Sequence, residues 1–296
     1  KQKTAYEIYQ CDWSSDVCSS DLVPVCLQLS HAGRKASSAV PWKGGAQMAL
    51  DQGGWQALAP SAVAHKEGEH PPKALDLADL ARIRDGFASA AARAGQMGIE
   101  AIELHGAHGY LLHQFLSPIS NQRTDAYGGS FEGRIKFPLE VFAAVRSAYK
   151  GVLGIRLSAT DWVEGGWNPE ETADLCQRLK LAGADYVHIS SGGVSTAQKI
   201  TLGPGYQVPF AKLIRQRCGL PTIAVGLITE PQQAEDILVR GEADMVAIAR
   251  GVLYKPHWGW EAAAALGGQV AASEPYWRSI PRDVQGIFGK IHIGMR

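Results

Sequence analysis

The chain has no excess of charge of either sign: lysine plus arginine number 29, and aspartate plus glutamate also number 29. That balance excludes the basic footprint of a nucleic-acid-binding protein and any strong attraction to an acidic membrane surface. No apolar run approaches the roughly 18 residues of a membrane-spanning helix. No secretory n-region and h-region open the sequence either. Its five cysteines, at positions 11, 18, 26, 176 and 218, form no CxxC pair, so the common zinc and iron–sulfur patterns are missing. No GxGxxG follows a strand-like run, which leaves a dinucleotide-binding doubly wound fold without positive support. These absences describe a reduced, cytoplasmic protein with no nucleic-acid partner, no membrane partner and no resident metal.

Residues 1–22 stand apart from the rest. KQKTAYE and DWSSDVCSSDL read as one-frame translations of two sequencing-library adapter oligonucleotides, with residues 8–11 where a variable index would sit. The segment is read as adapter-derived and excluded from fold reasoning. Cys11 and Cys18 are accordingly given no role.

From residue 23 a strand–helix rhythm begins, in a chain that is 46% hydrophobic and 20% charged, as suits a domain with a sizeable core. Strands are expected at 23–30, 99–104, 153–158, 186–190, 222–225 and 245–248. Helices are expected at 76–98, 135–149, 169–181, 208–217, 232–240 and 249–254. Leu77, Leu80, Ile83 and Phe87 form the apolar stripe of the first helix, and Pro169 opens the third. Residues 36–72, rich in Gly, Pro and Trp, read as irregular. Apolar strands without alternation imply a parallel sheet covered by helices. Polar residues gather at or just after strand ends: His31, His105, His108, Arg156, Ser190 and Gly226. Closed barrels and open doubly wound sheets both bind ligands there, and the rhythm alone does not separate them.

The strongest motif is ELHGAHGYLLHQFLSPISNQRTDAYGGS at 103–130, directly after a strand. His105 and His108 flank a Gly-Ala turn, with Tyr110 two residues on. Two imidazoles so spaced can donate hydrogen bonds to one oxygen and stabilise charge developing on it. Tyr110 is then a candidate general acid. Metal binding and simple loop hydrogen bonding are the alternatives that spacing leaves open.

With HAGR at 31–34, the 103–130 motif and the turns SSGG, VGLIT and IARG at 190–193, 225–229 and 248–251, the sequence resembles the Old Yellow Enzyme family, in its bacterial NADPH dehydrogenase and xenobiotic reductase-like branch. The resemblance runs from about residue 23 to 278. It implies an α/β fold, an incomplete (β/α)8 TIM barrel holding about strands 3 to 8 with the first two missing. Residues 23–278 would be the partial FMN-binding barrel, and 279–296 a tail of unassigned role. The implied activity is an FMN-dependent ene-reductase that takes hydride from NADPH or NADH to the β-carbon of an activated alkene. The alternative is a catalytically incompetent truncated fragment with at most weak FMN binding.

Carried over residue by residue, the resemblance makes His105 and His108 the ligands of the substrate carbonyl or nitro oxygen, and Tyr110 the proton donor to the α-carbon. It gives Gln28 to the pyrimidine edge of FMN, Arg156 to its N1 and C2-oxygen region, and Gly193, Gly226 and Arg250 to its phosphate. Arg278, in the element YWR, would reach a neighbouring subunit's site, implying a homo-oligomer in the full-length parent. Cys26 is expected only to fill the core. The absence of a downstream cysteine cluster argues against the two-domain dienoyl-CoA reductase branch. The His105–His108–Tyr110 set argues against a dihydroorotate dehydrogenase-like barrel.

Overall fold

Short apolar segments of three to seven residues pair side by side because each is bounded by a turn and followed by a helix that covers its outer face. The computed structural model describes residues 24–284 and 286–288. The segment read as adapter-derived, residues 1–22 with Cys11 and Cys18, lies outside the described residues, as do 289–296 of the tail.

In chain order the elements are β1 (Cys26–Leu29), the short pair β2 (Leu58–Ala59) and β3 (Lys73–Ala74), α1 (Leu77–Gln96), β4 (Ala101–Gly106) and α2 (Leu111–Leu116). They continue with α3 (Phe131–Ala148), β5 (Val152–Ser158), α4 (Pro169–Leu181), β6 (Tyr186–Ser190) and α5 (Val208–Cys218). The last are β7 (Thr222–Val225), α6 (Pro231–Val239), β8 (Met245–Ala247), α7 (Arg250–Tyr254) and α8 (Trp258–Leu266). Six strands form one wholly parallel sheet in the order β1-β4-β5-β6-β7-β8. It is a curled half-barrel, the incomplete TIM barrel that the sequence implied. No helix among the described residues is long and apolar enough to cross a membrane.

Local chemistry sets the helix starts. Asp76 caps α1 by accepting from the Asp79 amide at 2.8 Å, and Asn168 caps α4 from the Glu171 amide at 3.0 Å, with Pro169 at the first helical position. Leu80, Ile83, Phe87, Ala91 and Ala94 turn into the core, but Leu77 does not. It is the first residue of α1 and 65% exposed, because the helix has not yet wound its stripe onto the sheet. Helix α3 starts four residues earlier than expected, capped by Ser130 and tied to α4 by the Arg134–Glu171 ion pair. Helix α2 escaped the sequence reading because all six of its residues are buried. A helix covered on every side has no polar face and so no apolar period to detect.

Cys26 corrects a second expectation. It is exposed rather than packed in the core, because β1 is an edge of the sheet among the described residues. Its sulfur lies 3.4 Å from the Tyr186 hydroxyl.

Inside the curl, Gly154 on β5 pairs with Tyr186 on β6, and a Cβ at Gly154 would fall within the Tyr186 ring. The missing side chain is the space the tyrosine occupies. Gly154→Ala is expected to destabilise the fold by about 1–3 kcal/mol through overpacking, read as a lower urea midpoint. An unchanged midpoint would show that Tyr186 does not need that space.

Candidate active site

Parallel pairing carries three polar side chains into one lateral row. His105 of β4 pairs with Arg156 of β5, and Arg156 pairs with His188 of β6. Residues two apart on a strand share a face, so Gln28, Glu103 and Tyr186 lie one layer below. Gln28 donates to Glu103 Oε1 at 2.5 Å, and His188 Nδ1 lies 3.0 Å from Glu103 Oε2. Burial pushes the Glu103 carboxyl up, but the contacts with His188, Gln28 and the Arg156 cation outweigh it and hold the group below its ordinary range.

Above this row the chain turns sharply. His108 (φ 57°) and Gly109 (φ 72°) are consecutive left-handed residues, a conformation that suits glycine and strains histidine. A Cβ on Gly109 would collide with the Gly193 carbonyl. The turn brings the His105 and His108 rings to 5.2 Å, edge to face, and the Tyr110 ring to 4.8 Å from His105. His105 Nδ1 accepts from the Ala107 amide at 3.2 Å, so the neutral ring carries its proton on Nε2, available to donate. His108 Nε2 lies 2.7 Å from Ser190 Oγ. That hydroxyl donates to Gln207 Oε1 at 3.2 Å; when it turns to donate to His108 instead, the ring's proton sits on Nδ1. Lys35 bridges the carbonyls of His108 (2.9 Å) and Gly193 (2.8 Å), tying the β4 and β6 loops together.

Of the residues named from the sequence, His105, His108, Tyr110 and Arg156 thus come together at the C-terminal ends of β4 and β5. Gln28 faces the same side, but its amide is engaged by Glu103. Gly193 and Gly226 lie after β6 and β7 with φ of 94° and 118°. A Cβ on either would meet the chain itself: the His108 backbone at 2.6 Å and the Gln207 side chain at 2.5 Å. Arg250 is exposed at the start of α7. Arg278 is exposed in the 3-10 turn Glu274–Ser279, and among the described residues no contact joins it to the histidine pair. No three His, Cys, Asp or Glu side chains among the described residues are grouped to hold a metal ion.

Two partners were missed in the sequence, Glu103 and His188. The signal was there: Glu103 and His105, like Tyr186, His188 and Ser190, are polar residues spaced by two in otherwise apolar strands. A buried Arg156 Nε and His188 Nε2 have no hydrogen-bond partner among the described residues. A cation and an imidazole with unspent polar atoms, beside the His105 and His108 rings, fit the carbonyl- and nitrogen-rich ring of FMN.

Comparison with known proteins gives the family. The family described as "NADH:flavin oxidoreductase / NADH oxidase family" matches residues 22–267. An NADPH dehydrogenase of Geobacillus thermodenitrificans (strain NG80-2) is 43% identical over 252 residues, covering 85% of this chain and 69% of that protein. The NADPH dehydrogenase of Halalkalibacterium halodurans is 39% identical over 253 residues, covering 86% and 70%. Among solved structures, morphinone reductase superposes with a TM-score of 0.64 at 28% identity, covering 85% of this chain and 68% of that one. A 2-naphthoyl-CoA reductase complex gives 0.69 at 25% identity, but the match spans only 38% of that longer chain.

Burial, and then the Arg156 cation, lower the pKa of His105 to about 4 and of His108 to about 2. An unfolded histidine titrates near 6.5, so below that pH the unfolded chain takes up protons that the folded site refuses. Stability is therefore full above about pH 6.5 and falls as the pH drops, the His105 share being lost towards about pH 4. His105→Asn is expected to flatten that decline in a urea-midpoint series taken between those limits. Superimposable profiles would overturn the assignment.

Proposed function

The chain belongs to the NADH:flavin oxidoreductase / NADH oxidase family, the family of the Old Yellow Enzymes, and from that premise we propose that it is an ene-reductase. Membership carries the coarser statement, an oxidoreductase that uses FMN with NADPH or NADH as hydride donor. The proposal is the acceptor: the β-carbon of an alkene activated by a carbonyl or nitro group. The observation behind it is the neutral His105 ring with its Nε2 proton directed by the Ala107 contact, set edge to face with His108.

Bound FMN supplies the hydride chemistry. The protein's own residues do the rest. His105 donates from Nε2 to the substrate oxygen, and His108 donates from Nδ1 once the Ser190 hydroxyl turns from Gln207 Oε1, which Ser191 Oγ still satisfies, and donates to its Nε2. Neutral donors of this kind polarise the conjugated double bond without bringing a full charge to the oxygen. Tyr110, against the His105 ring, holds the proton for the α-carbon. Arg156, whose Nε has no partner among the described residues, would hold the pyrimidine ring of FMN and supply a cation that favours its reduced form. Gln28 would bind the edge of that ring in exchange for its contact with Glu103. Gly193, Gly226 and Arg250 serve the phosphate end, and Arg278 a neighbouring subunit's site in a homo-oligomer.

The test is a visible spectrum of the chain with FMN, taken anaerobically with NADPH and then 2-cyclohexen-1-one. A protein-bound flavin band that bleaches with NADPH and returns with the enone is expected. Tyr110→Phe should slow the return by about 10²-fold or more while leaving the bleaching step. His105→Asn should lower kcat/KM for the enone by about 10²-fold. A band that bleaches but is never restored by any activated alkene would sink the ene-reductase reading.

A further inference from the structure

The turn that presents His108 and Tyr110 closes through one backbone bond, from the Tyr110 amide to the Ala107 carbonyl at 3.1 Å, and the Tyr110 carbonyl joins α2 through the Gln114 amide at 2.8 Å. The backbone groups of His108 and Gly109 between them are satisfied one by one by side chains. The His108 amide donates to Ser158 Oγ at 3.0 Å, and the His108 carbonyl accepts from Lys35 at 2.9 Å. The Gly109 carbonyl accepts from Gln114 Nε2 at 2.6 Å. The Gly109 amide donates to His113 Nδ1 at 2.8 Å. Two successive left-handed residues would relax if these holds were lost.

His113 is the hold whose chemistry is least replaceable. It is wholly buried on α2, and so is Asp161, in the loop after β5. Because Nδ1 accepts from Gly109, a neutral ring must carry its proton on Nε2, and that nitrogen lies 2.9 Å from Asp161 Oδ1. Asp161 in turn is fixed through Oδ2, which accepts from Ser117 Oγ at 2.6 Å and from the Trp167 amide at 2.7 Å. The carboxylate accepts only, so it selects the one tautomer that leaves Nδ1 open to Gly109. The opposite tautomer would set two N–H donors against each other.

We propose that His113 and Asp161 are positioning residues for substrate binding: Asp161 holds His113 in the tautomer that fixes the Gly109 amide, and the fixed amide sets His108 and Tyr110 at the site mouth. The inference deepens the ene-reductase reading and rests on it for the identity of the substrate. The polar frame itself is a property of the chain and can be read without cofactor.

Three variants separate the roles: His113→Leu, His113→Asn and Asp161→Asn. The asparagine at 113 can put an amide oxygen where Nδ1 stood, whereas leucine cannot. The amide at 161 keeps the volume of the carboxylate but can donate to His113 Nε2 and so reverse the tautomer. The first readout is hydrogen exchange of the Gly109 amide by NMR in the FMN-free chain. His113→Leu and Asp161→Asn are expected to speed it about tenfold or more relative to amides of β5, and His113→Asn to keep most of the protection. The second readout is the FMN-loaded enzyme with NADPH and 2-cyclohexen-1-one. There the same two variants should raise KM about tenfold with a smaller change in kcat.

Unchanged Gly109 exchange in Asp161→Asn would overturn the proposal, as would equal loss in the Leu and Asn variants at 113. Faster exchange with an unchanged KM would remove the link to substrate. If His113→Leu does not fold, the near-isosteric Asp161→Asn decides the matter. If the wild type reduces no enone, the ene-reductase reading fails on its own while the exchange series still judges the frame.

Discussion

A guanidinium group inside the mouth of a parallel half-barrel imposes conditions on everything around it. Arg156 is set there by register, between His105 on one side and His188 on the other. A half-buried cation is stabilised by a nearby carboxylate, and here that is Glu103 one layer down, held as a carboxylate by His188 and Gln28. The same cation, acting with burial, keeps His105 and His108 uncharged. A pair of uncharged imidazoles and a cation with an unspent Nε among the described residues are thus two results of one placement. If Arg156 were paired directly with Glu103, its Nε would have no unmet demand and the mouth would have less to offer a flavin.

The second constraint is the close approach of two loops. The β4 turn and the β6 loop touch so closely that neither Gly109 nor Gly193 can carry a side chain. Lys35, from the HAGRK segment after β1, clamps both carbonyls. Burial lowers its pKa to about 8, and the neighbouring Arg34 and Lys66 act in the same direction. The buried Arg34 reaches from the same segment to the carbonyls of Val63, Ala64 and Val194. HAGRK therefore works as a structural buckle as well as a motif. The ends of β1, β4 and β6 are thus locked together, which is the preorganisation the proposed oxyanion-binding site needs.

Much of this was legible in the amino-acid order. Strand segments such as YVHIS and TIAV, the helix at Pro169–Leu181 and the grouping of His105, His108 and Tyr110 follow from local signals: apolar runs, a proline at a first turn, close spacing of polar residues after a strand. These depend on residues within one or two turns of each other. The sequence also carried the family resemblance, because the long motif at 103–130 is specific in both composition and spacing. Helix α2 was not legible, since complete burial erases the polar face. Leu77 was placed on a buried stripe and Cys26 in the core for the opposite reason: helix beginnings and sheet edges are exposed by geometry that composition does not record.

What the sequence by itself determined is the parallel α/β architecture, the family and the residue types available to bind an oxygen. What only the tertiary structure decided is which of them share a polar environment. Arg156 beside His105, Glu103 beneath both, His113 against Gly109 and Asp161 against His113 are contacts between residues as much as 53 positions apart in the printed numbering. Strand register and loop closure create them, and neither has a local signature. Protonation, tautomer and donor direction depend on those distant neighbours through burial and charge, so the chemistry of the site became definite only when the chain was folded.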